Sequence, residues 1–353
     1  MRFTVGQDAL SKALAIVGKG MSGASTLPVL SAIYLKAENG ELELQTTNLA
    51  VSIKHKLAAN VEEPGEAVIS GRLLTNLVKN LPDQAVSFSG TSRVVGVSCG
   101  NASFKLNSLD PADFPEFPTY TFDNSVELPA GVLSDMVDMV YRVTSSDTSR
   151  PILSGVLMSV EENMVRLVAT DSYRLAVCDT TTETSTLKGS FQTIVPGGVF
   201  HDVLSLPTND STILIGTTDN QVVFEFGNTT YISRKIEGNY PNYKQLLPSS
   251  CRTSANISVK EFSSALRRVS VVANTNPSVR LDLSKDKGIR ISSTSPDQGE
   301  AEEMVPADIE GEDLAIALNY HYVFDCINAI SGTEDVTLEL QRSEEHTSEL
   351  QSR

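Results

Sequence analysis

The sequence predicts an α+β fold made of three tandem copies of one domain, and three observations carry that prediction. The apolar set Leu10, Ala13, Leu14 and Val17 returns 123 residues later as Leu133, Met136, Val137 and Val140. After a further 129 it returns as Phe262, Ala265, Leu266 and Val269. Each set has the i, i+3, i+4, i+7 spacing that gathers apolar side chains on one side of a helix. The offset of 123 also maps Pro28-Val29-Leu30-Ser31 onto Pro151-Ile152-Leu153-Ser154, and Thr47-Asn48 onto Thr170-Asp171, without a gap. Third, every copy carries a second helical stretch with short alternating runs of Val, Ile, Phe and Thr around it, the pattern of antiparallel strands.

In order, copy one opens on MRFTV, enters the helix around Leu10, and passes through Leu42-Glu43-Leu44 to a second helix from Ser70 to Leu81. Leu73, Leu74, Leu77, Val78 and Leu81 share one side of that helix, and Pro82 stops it because proline cannot donate to the helix ladder. Copy two places its second helix from Pro196 to Leu206-Pro207, then the strand Val222-Val223-Phe224-Glu225-Phe226. Copy three repeats Leu42-Glu43-Leu44 as Ile289-Arg290-Ile291, and its second helix runs from about Asn319 to Ile330 with Val323, Phe324 and Ile327 apolar. Aromatic-proline linkers, Asp113-Phe114-Pro115-Glu116-Phe117-Pro118 and Asn239-Tyr240-Pro241-Asn242-Tyr243, separate the copies. The domains are therefore expected at 1–122, 126–247 and 253–341. Copy three is short by two or three strands after its second helix, which leaves an open sheet edge.

Composition narrows the function. With 40% apolar and 20% charged residues the chain reads as an ordinary soluble protein. The N-terminus lacks a signal-peptide core and no run of 18 apolar residues spans a membrane. Cys99, Cys178, Cys251 and Cys326 are far apart, so neither a zinc site nor a disulfide framework is expected, and no metal or cofactor is. A net charge of −16 argues against a lysine-coated DNA binder but leaves room for a basic stripe. Catalytic groupings are sparse: His55, His201 and His321 stand one per copy, away from cysteines and acidic pairs. Gly197-Gly198 opens a helix without the lysine of a phosphate-binding loop. Asp171 and Arg174 read as a structural ion pair, with a nucleotide-dependent hydrolase as the competing hypothesis.

The chain resembles the β subunit family of bacterial DNA polymerase III, the replicative sliding clamps. The residues that carry this are MRFTV, Thr26-Leu27-Pro28-Val29-Leu30, Ser108-Leu109-Asp110-Pro111-Ala112-Asp113-Phe114-Pro115 and Ala169-Thr170-Asp171-Ser172-Tyr173-Arg174-Leu175-Ala176. Glu237-Gly238-Asn239-Tyr240-Pro241-Asn242-Tyr243 and Ser295-Pro296-Asp297-Gln298-Gly299-Glu300-Ala301-Glu302-Glu303 complete the set. The resemblance implies a non-catalytic homodimeric ring of six clamp domains, helices inside and sheets outside, that encircles duplex DNA without reading sequence. It implies DNA-facing cations at Lys12, Lys19, Arg72, Lys79, Arg142, Lys260, Arg267 and Arg268, each of which also suits a solvated helix face. Ala24 stands where the family often has a DNA-touching arginine. The ring would close through Leu77 and Leu81 against Val271 and Val272, with Glu300, Glu302 and Glu303 facing Arg93 and Lys105. A partner-peptide pocket is implied at Leu153, Thr170, Ser172, Tyr173, Arg174, Leu175, Pro241 and Leu246. Leu153, Leu175 and Leu246 equally suit a core, and Gln245 replaces a frequent family arginine. Implied partners are the polymerase III alpha subunit, the clamp loader and other clamp-binding proteins, in the cytoplasm at the replisome.

The last twelve residues, RSEEHTSELQSR, break the pattern, since only Leu350 is apolar. One codon choice for Arg342 to Ser352 spells a common sequencing-library adapter. Residues 342–353 are therefore expected to lie outside the fold, and the third domain to be truncated with weakened stability, dimerisation and peptide binding.

Overall fold

A computed structural model describes the chain except residues 24–25, 92, 148, 183–189, 207–210, 249, 274–276, 331, 342–347 and 352–353. Six α-helices are described: α1 (Gln7–Val17), α2 (Gly71–Lys79), α3 (Ala130–Tyr141), α4 (Gly197–Leu204), α5 (Val259–Val269) and α6 (Tyr320–Ala329). The second helix of each copy, α2, α4 and α6, lies within one to three residues of its predicted bounds, and α1, α3 and α5 contain the three predicted apolar sets. The chain divides into two compact units. One comprises Met1–Val137, Ser146–Val168 and Cys178–Gly238, and the other Asp138–Ser145, Ala169–Val177 and Asn239–Arg353.

In the first unit, alternating strands build a thirteen-stranded sheet whose pairings, where the register is defined, are antiparallel. Its order brings Thr229–Arg234 of the second copy against Val51–Ala58 of the first, with Tyr231 opposite Ile53 and Thr229 opposite His55. Two copies thus share one hydrogen-bonded surface, and the His55 Nδ1 to Thr229 Oγ1 contact of 2.8 Å ties the seam. Beneath the sheet, α1 buries Leu10, Ala13, Leu14, Ile16 and Val17. Phe3 and Phe88, both fully buried, stack with ring centroids 4.7 Å apart. Phe200 of α4 meets Phe224 edge-on at 5.6 Å, and Phe224 meets Tyr231 in the same manner. Gly71 opens α2 because a Cβ there would run into the sulfur of Met21.

The second unit contains two four-stranded sheets. One runs Gly299–Val305, Gly288–Ser295, Ser278–Ser284, Leu314–Asn319; the other runs Asp308–Gly311, Thr253–Ser258, Asp335–Leu340, Ser348–Gln351. Phe262, Ala265, Leu266 and Val269 of α5 and Val323 and Ile327 of α6 share one core with Leu281, Ile289, Ile291, Val336 and Leu338. The third copy therefore has a core of its own.

Three expectations are corrected here. Residues 348–351 do not stay outside the fold: they pair antiparallel with Thr337–Leu340 and cover the edge expected to be open. The unpaired N–H and C=O groups of such an edge accept any extended segment within reach. On α2 the predicted apolar side splits. Leu74 and Val78 are buried, whereas Leu73 is 47% exposed and Leu77 half-buried. Leu81, expected at the ring closure, is largely buried in its own domain.

Truncating Phe88 to alanine removes one ring of a buried stack and should destabilise the first unit by about 3–5 kcal/mol, measured by urea unfolding. His55 gives a second prediction. Burial pushes its imidazole below the ordinary 6.5, so the unfolded chain takes up the proton more readily than the folded one. The seam's contribution is present above pH about 6.5 and falls as the pH drops below it. His55→Gln should flatten that part of the stability profile between pH 7 and 5.

Candidate partner pocket and DNA-facing surface

The strand Met164–Thr170 ends in a turn that Thr170 and Asp171 close on themselves. Thr170 Oγ1 donates to the Arg174 carbonyl at 2.7 Å and accepts from the Ser172 N–H at 3.2 Å. Asp171 Oδ1 accepts from the N–H groups of Tyr173 and Arg174 at 2.9 and 3.1 Å. Ser172 is thereby held at φ 77°, a left-handed conformation that costs a non-glycine residue about 1–2 kcal/mol. The first copy builds the same turn. There Thr47 serves Val51 and Leu49, Asn48 Oδ1 accepts from Ala50 and Val51, and Leu49 sits at φ 73°. The Thr-Asp pair is thus a local turn device, and what distinguishes the second copy is Arg174, where the first has Val51.

Arg174 is the hub of this turn, and the turn lies in the second unit together with Arg142 and α6. Its Nε donates to Asp171 Oδ2 at 3.0 Å, one terminal nitrogen donates to the Arg142 carbonyl at 2.9 Å, and the other to Asp325 of α6. The Tyr322 ring lies over the guanidinium, 4.5 Å from centroid to Cζ. Tyr173, 82% exposed, stacks beside the same ring with centroids 6.4 Å apart. Burial works against the Arg174 charge, but hydrogen bonds to Asp325 and Asp171 outweigh it and leave its pKa raised. Burial likewise pushes the neighbouring Cys326 thiol up to about 11, with Arg174 opposing and Asp325 adding to the shift.

Of the other pocket residues, Leu175 is half-buried, and Pro241 and Leu246 flank the buried Tyr243, with Leu246 half exposed. Leu153 is buried in the turn Pro151–Ser154 of the first unit. Gln245 is exposed. Sequence reasoning did not single out Tyr322 or Asp325. The available signal was that Asp325 and Asp202 occupy the sixth position of α6 and α4, 123 residues apart.

Of the cations expected to face DNA, all eight are exposed. Three engage carboxylates of this chain: Lys12 with Asp8 at 2.7 Å, Lys19 with Asp202 at 3.0 Å, and Arg268 with both oxygens of Glu303. Arg72 and Lys79 sit on α2, Lys260 and Arg267 on α5, and Arg142 just beyond α3. Ala24 lies outside the described residues. Among residues expected at the ring closure, Val271 is 64% exposed, Val272 half-buried, and Arg93, Lys105 and Glu300 are exposed. Glu302 accepts from Arg290 at 3.3 Å. The Arg268 guanidinium holds the Glu303 carboxyl below its ordinary range, so Glu303 already has a cationic partner within its own chain.

Comparison with known proteins decides the family. Three domain models match end to end: the N-terminal domain of the DNA polymerase III beta subunit over residues 1–118, its central domain over 127–242 and its C-terminal domain over 244–348. This chain belongs to the DNA polymerase III beta subunit family. The beta sliding clamp of Bacillus subtilis (strain 168) is 30% identical over 347 residues, covering 95% of this chain and 92% of that one. That of Staphylococcus aureus (strain N315) is 31% identical over 346 residues, covering 95% and 91%. The crystal structure of the Bacillus subtilis clamp superposes with a TM-score of 0.92 at 27% identity, covering 97% of this chain and 93% of that one. That of a Pseudomonas aeruginosa clamp bound to griselimycin gives 0.92 at 28%, covering 98% and 94%.

The chain is accordingly a sliding clamp of three clamp domains and a non-catalytic processivity factor. The hydrolase hypothesis falls with that identification, and the geometry gives a reason. Asp171 spends one oxygen on two backbone N–H groups and the other on Arg174. Thr170→Val keeps the shape but deletes the hydroxyl from a buried turn, and should cost about 1–3 kcal/mol in urea unfolding, with Thr170→Ser nearly neutral.

Proposed function

We propose that two copies of this chain close head to tail into a ring around duplex DNA and tether a replicative polymerase for processive synthesis. The single observation that carries this is the match of all three clamp domains in order along one chain. A heterologous contact whose rotation closes yields a ring, and a ring retains DNA by topology. The helix cations then need only weak phosphate contacts that carry no sequence information, which permits sliding. The exposed Val271 and the half-buried Leu77 supply apolar surface for closure, and Arg93 and Lys105 offer charges to Glu300 and Glu302. Val272 adds to the apolar side.

The turn around Arg174, with Thr170, Ser172, Tyr173, Leu175, Pro241 and Leu246 of the second unit, is read as a partner-peptide pocket. The polymerase III alpha subunit, the clamp loader and other clamp-binding proteins would take turns at it, since a concave apolar site with few polar anchors suits an extended peptide. Such work places the protein in the cytoplasm, at the replisome. Among the described residues no helix is long and apolar enough to cross a membrane. We also propose that residues 342–353 derive from a sequencing-library adapter. Genomic codons for RSEEHTSELQSR at the re-sequenced locus would overturn that.

Loading onto nicked circular DNA followed by linearisation tests the ring: the clamp should leave the linear DNA and stay on the circle, and retention after linearisation would sink the model. Val271→Glu puts a charge into the apolar closure and should raise the dimer dissociation constant at least about tenfold in sedimentation equilibrium.

A further inference from the structure

We infer that Asp325 is a positioning residue for the partner pocket, acting through Arg174 and Tyr322. The inference rests on the pocket reading above and adds to it a residue from α6, far from the turn in sequence.

A guanidinium offers five N–H donors in a fixed plane. Three partners of Arg174 lie around that plane: Asp171 at Nε, the Arg142 carbonyl at one terminal nitrogen and Asp325 at the other. Tyr322 covers one face. Asp171 and Arg142 alone would fix the stem and one corner. Asp325 fixes the remaining corner, and it belongs to the same helix as Tyr322. The carboxylate and the ring are three residues apart on α6, so they project from one side of it. One helix thus grips the guanidinium by its edge and its face together. The Tyr322 ring in turn stacks beside the exposed Tyr173. Arg174 is consequently spent on holding its neighbours rather than free to reach for a ligand. The side chains left for a peptide are those that it and Asp325 hold still.

The first unit supplies an internal control. Asp202 occupies the same position on α4, but its partner is Lys19 at 3.0 Å. Lys19 is the counterpart of Arg142 at the offset of 123, and the turn position matching Arg174 is Val51. An acid at this helix position therefore recurs as a tie to a neighbouring cation. Only Asp325 is tied to a turn that displays an exposed aromatic ring. The recurrence accounts for an acid at this position, and the changed partner accounts for a role in the pocket.

The test is a double-mutant cycle on the full-length protein. Arg174→Ala, Asp325→Ala and the double variant are titrated with a synthetic peptide carrying the clamp-binding segment of a polymerase III alpha subunit. Each single variant should bind about tenfold more weakly, and the double variant no more weakly than the poorer single, because the two side chains act as one unit. Asp325→Glu should recover most of the affinity, and the near-isosteric Asp325→Asn should lose it while melting close to wild type. Additive losses, or unchanged affinity in Asp325→Ala and Asp325→Asn, would overturn the inference. A wild-type protein that fails to bind the peptide would instead overturn the pocket reading, and a wild type that fails to stay on circular DNA would overturn the ring.

Discussion

Each helix of this chain must bury one apolar stripe on an antiparallel sheet, and the rest of the structure follows from that requirement. Burial of Leu10, Leu14 and Val17 in one copy and Phe262, Leu266 and Val269 in another fixes the rotation of α1 and α5 about their axes. Each fully buried side chain of this size contributes about 1.5–3 kcal/mol, far more than any surface charge on the same helix. Packing therefore decides which face looks outward, and Lys12, Lys260 and Arg267 are exposed because the core has used the other side. The exposed cations proposed to face DNA thus come as a by-product of building the domain three times.

That logic explains what the sequence disclosed and what it withheld. The period-3.6 stripes are local; they marked the place of all six helices and the ends of α2, α4 and α6 to within one to three residues. The offset of 123 gave the repeat, and with it the Thr47 and Thr170 turns, whose hydrogen bonds stay within five residues. Whether an apolar residue at the margin of a stripe belongs to the core depends on which strand lies opposite, and no local pattern states that. Leu73 and Leu81 show it: both fit the stripe, one is largely outside and the other largely inside. The grip of α6 on Arg174 was hidden for the same reason, because Asp325 lies 151 residues from its partner. Edge pairing by residues 348–351 was missed because strand edges accept partners by backbone chemistry, which composition does not record.

Repetition with changed partners is how one domain type acquires different sites. The Thr-Asn and Thr-Asp turns share their hydrogen bonds and their left-handed third residue, so the scaffold is paid for once. Exchanging Val51 for Arg174 then converts a seam of the first unit into a charged hub in the second. The acid at the sixth position is common to α4 and α6, tied to Lys19 in one and to Arg174 in the other. Arginine rather than lysine suits the hub, since a planar fork can satisfy two carboxylates and a carbonyl while its face lies under a ring.

The paired cations bear on how a clamp with a net charge of −16 meets DNA. Lys12 with Asp8 and Lys19 with Asp202 are solvent-exposed pairs with side chains 35–64% accessible, and such pairs contribute little net stability. In the proposed ring a phosphate would displace the carboxylate at small cost, the lysine exchanging one anion for another. Arg268, held by both oxygens of Glu303, is the less readily exchanged of the three, because a bidentate fork loses two charge-assisted hydrogen bonds together. For a ring that retains DNA by closure, a tight grip is a hindrance, since every phosphate bound must be released at the next step. On the DNA-facing surface proposed above, partly compensated cations on an acidic body would shorten each contact without abolishing attraction. In the proposed ring, a sparse basic surface with some of its cations already paired would suit sliding, whereas a dense unpaired one would suit a protein that holds its place.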